Sequence, residues 1–140
     1  MLEFTNLKEF EDDLEQFVNK AEIDINTAIK RLAFEAFRGV VQRTPVRTGW
    51  ARGAWTINAG FIDTTIPPNG SYSEENPMPA PKATQFDGIS GKHDSYYIAN
   101  SVPYILMLEA GHSKQMDKGY MVERTMNDIT KNFQSILKGK

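Results

Sequence analysis

Cysteine is absent from the 140 residues. That excludes a disulfide framework, a thiolate zinc site and a cysteine nucleophile, and it suits a reducing compartment. Histidine is nearly absent, with two copies. No stretch approaches the roughly 18 consecutive apolar residues needed to span a bilayer, so no membrane contact is expected. The formal charge of -2 is too small to draw the chain to nucleic acid or to an acidic membrane by electrostatics alone. The opening segment, MLEFTNLKEFEDDLEQF, has neither the basic nor the apolar region of a signal peptide, which predicts a soluble product of the cytoplasm. Phosphate-cradling loops of the Gly-x-Gly-x-x-Gly or Walker type are missing, as is a Gly-x-Ser-x-Gly nucleophile elbow.

What the chain does have is enough apolar material to fold. Hydrophobic residues make up 40% and charged residues 24%, a balance that predicts a packed core. The length suits one domain over residues 1–140. Apolar residues recur at Leu14, Phe17, Val18, Ala21, Ile25, Ala28, Ile29, Leu32, Ala33, Ala36, Phe37 and Val40. Those steps of three and four hold one phase, as a single buried stripe on a helix requires. Asn6 with Glu9 makes a capped start, and Thr44-Pro45 makes the stop, because proline disfavours helical backbone at the residue before it. The pattern describes one long helix, or two nearly collinear helices broken near residues 20–24; propensity does not decide between them. Glu9, Glu11, Asp12, Asp13 and Glu15 stand near its start, and Lys30, Arg31, Arg38 and Arg43 near its end. This polarity complements the helix dipole. It would also let neighbouring copies pair acidic end to basic end.

After the stop, residues 50–53 read as a short helical turn and residues 54–59 as a strand. Residues 60–92 carry prolines at 67, 68, 77, 79 and 81, which keep the backbone extended. A connection that long is uncommon inside a compact domain and tends to be functional or disordered. A second strand over residues 95–102 is expected to pair with the first. Pro103 then opens a short helix over residues 104–110, and Gly111 ends it. A last amphipathic helix covers residues 119–137. The expected fold class is α+β: helices at both ends of the chain packed on a small antiparallel sheet, with residues 60–92 an extended arm inserted between the strands.

Two stretches carry a resemblance. TPVRTGWARGAWTINAG resembles the Thr-Pro-Val-x-Thr-Gly segment that opens the sheet in the HK97 gp10-like family of phage tail-completion and neck proteins. IANSVPYILMLEAGHSKQMDKGYMV is similar to that family's Ile-x-Asn…Pro-Tyr…Leu-Glu-x-Gly-x-Ser-x-Gln…Gly-hydrophobic-Val run. With the long leading helix, the two cover most of the chain outside residues 60–92. Arg47 stands where the acidic version of the first motif has aspartate. An aspartate there would cap the following turn and arginine does not, which leaves Thr48 to supply the cap or Arg47 to contact a neighbouring subunit. The resemblance implies a structural protein of a tailed bacteriophage, made in the host cytoplasm and built into the virion at the head–tail interface. It would form a symmetric ring of its own copies around the DNA conduit, beside adjoining neck, portal-adaptor and tail proteins. A tail terminator or other minor tail protein would use similar parts.

Sharper chemistry has less support. Glu109 and His112 are three apart near a helix end, a spacing seen in carboxylate-bridged metal sites, yet a second Glu-x-x-His is missing. The plainer reading places both beside Gly111 at a helix terminus. Glu74-Glu75 reads as a solvated patch of the arm. No serine is paired with a base, so no catalytic, cofactor or metal residue is assigned, and a hydrolase is the most distant reading. The rival of a different class is a small nucleic-acid-binding module. Arg43, Arg47, Trp50, Arg52 and Trp55 combine cations with flat rings, the ingredients of a single-strand platform. The plainer reading seats both tryptophans in the seam between the long helix and the sheet. Strand alternation sends Tyr96 and Tyr97 to opposite faces, leaving one outside the subunit's own core. The interface candidates are therefore Arg43, Arg47, Trp50, Arg52, Trp55, Tyr96, Tyr97, His112, Lys114 and Gln115.

Overall fold

The computed structural model describes residues 7–70, 72–81, 93, 95–111 and 121–138. The expected Asn6 cap therefore lies outside the described residues. The leading helical stripe is two helices, α1 (Leu7–Lys20) and α2 (Ile25–Arg43). Hydrogen bonds fix the break between them. The Ile23 amide donates to the Val18 carbonyl at 2.9 Å and the Glu22 amide to the Asn19 carbonyl at 3.3 Å. Glu22 sits in the left-handed region at φ 57°. This six-to-one and five-to-two pair is a Schellman ending, with Ile23 packed back into the cluster that holds Val18. Asp24 then opens α2 at once, its carboxylate accepting from the Thr27 amide at 3.1 Å.

Next come α3 (Trp50–Gly53), β1 (Thr56–Ala59), β2 (Tyr96–Ala99), α4 (Ile105–Glu109) and α5 (Val122–Leu137). The fold is α+β. β1 and β2 pair antiparallel in the register Thr56 with Ala99, Ile57 with Ile98, Asn58 with Tyr97 and Ala59 with Tyr96. The first strand starts two residues later than its pattern predicts, because Ala54 caps α3 and Trp55 turns into the core. The second stops at Ala99, where the Asn100 carboxamide oxygen takes the Val102 amide at 3.1 Å and bends the chain away. The last helix is expected from residue 119, but residues 119 and 120 lie outside the described residues.

α5 runs antiparallel to α2 and covers it. One cluster joins Leu14 and Val18 of α1, Ala28, Leu32 and Ala36 of α2, and Ile129, Phe133 and Leu137 of α5. Phe10 and Phe17 meet Phe133 edge-on at 5.3 and 5.7 Å, a favoured arrangement for ring quadrupoles. Gly39 lets α2 and α5 approach closely, since a Cβ there would stand 2.6 Å from Thr125 Cγ2. Arg31 donates to the Leu137 carbonyl at the end of α5 at 3.1 Å. Arg43 reaches Thr125 Oγ1 at 2.8 Å and forms a short ion pair with Asp128. Arg38 lies 3.7 Å from Glu35 on the same helix, so the cations that end the helical stripe are engaged within the chain rather than held in reserve for a neighbour.

A second cluster lies under the sheet: Phe37, Val40, Val41, Trp55, Ile57 and Met121, with Ile98, Ile105 and Leu108 packed against it. Residues 61–70 and 72–81 contain no helix or strand. The described part of the arm is not free, however, and it closes the site below.

Candidate functional site

The Thr-Pro-Val-Arg-Thr-Gly segment forms a corner. Thr44 ends α2 in extended backbone, ahead of Pro45 as expected. Its hydroxyl donates to the Val40 carbonyl at 2.6 Å and accepts the Trp55 indole N–H at 2.7 Å. A buried Trp N–H needs such a partner, and this one ties the far side of the corner to the helix it leaves. Gly49 follows at φ 81° and starts α3 without a side-chain cap. Thr48 does not replace the missing aspartate cap, because the turn needs glycine's left-handed backbone at the cap position. Arg47 instead meets Glu74 of the same chain at 3.0 Å, with both side chains well exposed. Such a pair contributes only about 0–1 kcal/mol.

The arm returns across this corner as a strap. The Met78 amide donates to the Thr48 carbonyl at 2.7 Å, and the Met78 carbonyl accepts from Arg52 Nη2 at 2.7 Å. The socket is made by two glycines. A Cβ on Gly49 would stand 2.5 Å from the Met78 carbonyl oxygen, and one on Gly53 would stand 2.5 Å from Met78 Sδ. Met78 is buried there, and Ala80 reaches the cluster under the sheet. Nearer the root of the strap, the Pro67 carbonyl accepts the Trp50 indole N–H at 2.7 Å. Trp50 also meets Tyr104 at 5.8 Å between ring centroids, so it joins the strap to the segment that leads into α4.

The second motif stretch packs onto the first. Asn100 Nδ2 donates to the Ala51 carbonyl at 2.7 Å, tying the end of β2 to α3. Glu109, though a carboxylate, is buried. Its Oε1 accepts the Val122 amide and its Oε2 the Glu123 amide, each at 3.0 Å. Met121 offers α5 no side-chain cap, so Glu109 satisfies two of the helix's orphan amides from across the fold. Both oxygens being so used, the Glu109–His112 spacing is explained as helix capping on the Glu109 side.

The candidates divide as follows. Trp55 is core, in the seam between helix and sheet, whereas Trp50 sits under the strap. Arg43 is engaged with α5, Arg52 with the strap, and Arg47 with Glu74. The five residues of the possible nucleic-acid platform thus do not share one open face. Of Tyr96 and Tyr97, Tyr97 is the one turned outward, while Tyr96 shares the inner face with Ile98. Burial raises the Tyr96 phenol above its ordinary value, and it raises Tyr104 too. His112, Lys114 and Gln115 lie outside the described residues. The sequence reading missed Thr44, Met78 and Asn100. Thr44 was legible as a stop and Asn100 as a motif residue, but nothing in a proline-rich arm marks Met78 as a plug.

Among the described residues the most exposed large apolar side chains fall in two places: Phe61, Ile62 and Ile66 on the outgoing leg of the strap, and Leu106 and Met107 on α4. Leu106 is 77% exposed, on the side of α4 away from Ile105 and Leu108, which pack against the core. Pro67 and Tyr104 both touch Trp50, so the two places approach each other around that ring. Among the described residues no group of three or more histidine, aspartate or glutamate side chains is placed to hold a metal ion, and no helix is long and apolar enough to cross a membrane. In comparisons with known proteins, no family model, curated protein or solved structure matches the chain.

Proposed function

We propose that this chain is a structural subunit of a tailed bacteriophage particle, a neck or tail-completion component that works as a symmetric multimer around the DNA conduit at the joint of head and tail. One observation carries the reading. Three polar residues of the two signature stretches, Thr44, Asn100 and Glu109, are spent on joints of the backbone: a helix end, a strand end and a helix start. A signature built from such residues encodes a shape, as a protein whose work is geometric requires, and it leaves none of these groups free for a substrate. The exposed apolar residues grouped on the strap and on α4 add support, since such side chains are the kind that contacts between subunits cover. Permanent interfaces bury about 1,200–2,000 Å² or more, and a subunit this small needs projecting segments to supply that area.

The deciding experiment is imaging of particles assembled without this product. Heads and tails that fail to join, or tails left incomplete, are expected. Complete, infectious, tail-bearing particles would end the proposal. Mass measurement of the purified protein over a range of concentrations supplies a second check, with multimers expected as concentration rises.

A further inference from the structure

Two antiparallel neighbours such as β1 and β2 need only two to five residues to join them, yet residues 60–95 lie between them. Their connection is therefore not required by the sheet. Its described tip is specified in detail all the same. Met78 engages Thr48 and Arg52 through its backbone and fills a socket that only glycines at 49 and 53 leave open. The outgoing leg is the reverse. Phe61, Ile62 and Ile66 are exposed, and the leg carries the Asp63–Thr65 turn and a long contact of the Asp63 carbonyl with the Thr56 hydroxyl at 3.4 Å. A docked tip on an undocked, apolar leg is the arrangement that permits exchange of an identical element between copies at little cost. Every tip contact is preserved in the exchange, and each apolar leg gains the surface of the neighbour it crosses.

We propose that the strap is exchanged in the assembled protein: the Pro67–Ala80 tip of one copy seats in the Gly49–Gly53 socket of its neighbour. The inference rests on the multimeric reading above and names the contact that joins its copies. It carries a geometric limit. Seven Cα steps lead from Gly60 to Pro67, and extended chain covers at most about 3.3–3.6 Å per residue, so the neighbour's Trp50, on which Pro67 seats, lies within about 25 Å of Gly60. The return leg, from Pro81 to Ser95, is longer in residue count and does not set the limit. An exchange in which each tip enters the next copy's socket runs head to tail and closes into a ring when the rotation between copies allows, whereas a reciprocal exchange closes as a two-fold dimer.

The absence of cysteine makes a clean test possible. Arg47 and Glu74, exposed partners at 3.0 Å, report whether a strap lies on its own socket or another's. Chains carrying only Arg47→Cys are mixed in denaturant with chains carrying only Glu74→Cys, refolded, assembled and treated with a short bis-maleimide. Exchange predicts covalent dimers, at up to about one interface in four for an equal mixture in a head-to-tail assembly. It also predicts ladders of linked chains from the double variant. If the double variant assembles but links only within single chains, the exchange is refuted and the multimeric reading stands. If neither the purified protein nor particles containing it show multimers, the multimeric reading falls and the exchange falls with it. A Met78→Asp variant supplies an independent readout: its tip is ejected, and loss of assembly with retained helical circular dichroism is expected. Full assembly of that variant would count against exchange.

Discussion

Replacing Glu109 tests whether a single side chain fixes the last helix to the fold. Its two carboxylate oxygens accept the Val122 and Glu123 amides at 3.0 Å each, in a buried position. Hydrogen bonds to a charged group contribute about 1.5–3 kcal/mol each, and a buried donor left unpaired costs about 1–3 kcal/mol. The dipole at the start of α5 adds about 0.3–1 kcal/mol. Glu109→Gln keeps one acceptor, loses the charge and turns an amide NH2 toward a donor, so a loss of about 1.5–3 kcal/mol is expected. Glu109→Ala removes both acceptors, and because the two bonds share one carboxylate the loss is less than their sum, about 3–5 kcal/mol. Domains of this size have about 5–15 kcal/mol in total, so the alanine variant should sit near the edge of folding. Urea unfolding followed by far-ultraviolet circular dichroism measures both, and an unchanged m-value would show that only stability moved. Glu123→Gln is the control. It alters charge in the same helical turn without touching the capping carboxylate, so it should cost no more than about 1 kcal/mol. A Glu109→Ala loss below about 1 kcal/mol, or equal losses from Glu109→Gln and Glu123→Gln, would refute the capping argument.

Three further predictions concern the corner and the strap. Gly49→Ala should destabilise by about 1–3 kcal/mol, because it combines positive φ with a backbone clash. Gly53→Ala should cost less, since the Met78 sulfur it meets is the flexible end of a side chain; faster limited proteolysis within residues 61–81 would report the loosened strap. Trp55→Phe and Thr44→Val should each lose about 0.5–1.5 kcal/mol plus a desolvation penalty, and their double-mutant cycle should give a coupling of at least about 0.5 kcal/mol. Additive losses would mean that the indole–hydroxyl bond contributes nothing. Asp63 should titrate below the ordinary aspartate value of 3.8, because the Thr65 hydroxyl and amide both stabilise its charged form. The sign follows: its folded pKa is lowered, so its contribution is intact above about pH 4 and fades as pH falls through the folded value. Nuclear magnetic resonance titration with Thr65→Ala as comparison, which should return the midpoint toward 3.8, checks the assignment.

Helices and strands were legible where one physical signal dominated. The apolar stripe from Leu14 to Val40 located α1 and α2, and the corner at Thr44-Pro45 followed from proline sterics alone. The choice between one helix and two was not legible, because the break depends on Glu22 adopting left-handed backbone, which glutamate rarely does and glycine would have announced. Strand ends were overestimated for a related reason. Trp55 and Val102 suit a strand by residue type, but tertiary bonds at Ala51, Asn100 and Thr44 bend the chain before those residues can pair. The candidate site was legible by motif and not by role. Arg43, Arg47 and Arg52 read as free cations in a line of sequence, and only the fold brings Asp128, Glu74 and the Met78 carbonyl to them. Glu109 was read beside His112 because they are near in sequence, whereas its partners are amides more than ten positions away.

The junction of α1 and α2 leaves no slack: the Schellman ending is complete at Ile23, and the Asp24 cap begins at the next residue. With 3.6 residues per turn, each position along a helix advances about 100° around its axis. One residue added ahead of Glu22 would therefore carry Phe10, Leu14 and Phe17 a quarter-turn or more off the Phe133 ring if the ending kept its geometry. The spacing between the aromatic face of α1 and this elbow is thus countable in whole residues, and length variation in the first helix is expected to arrive in steps that restore the face, of three, four or seven positions.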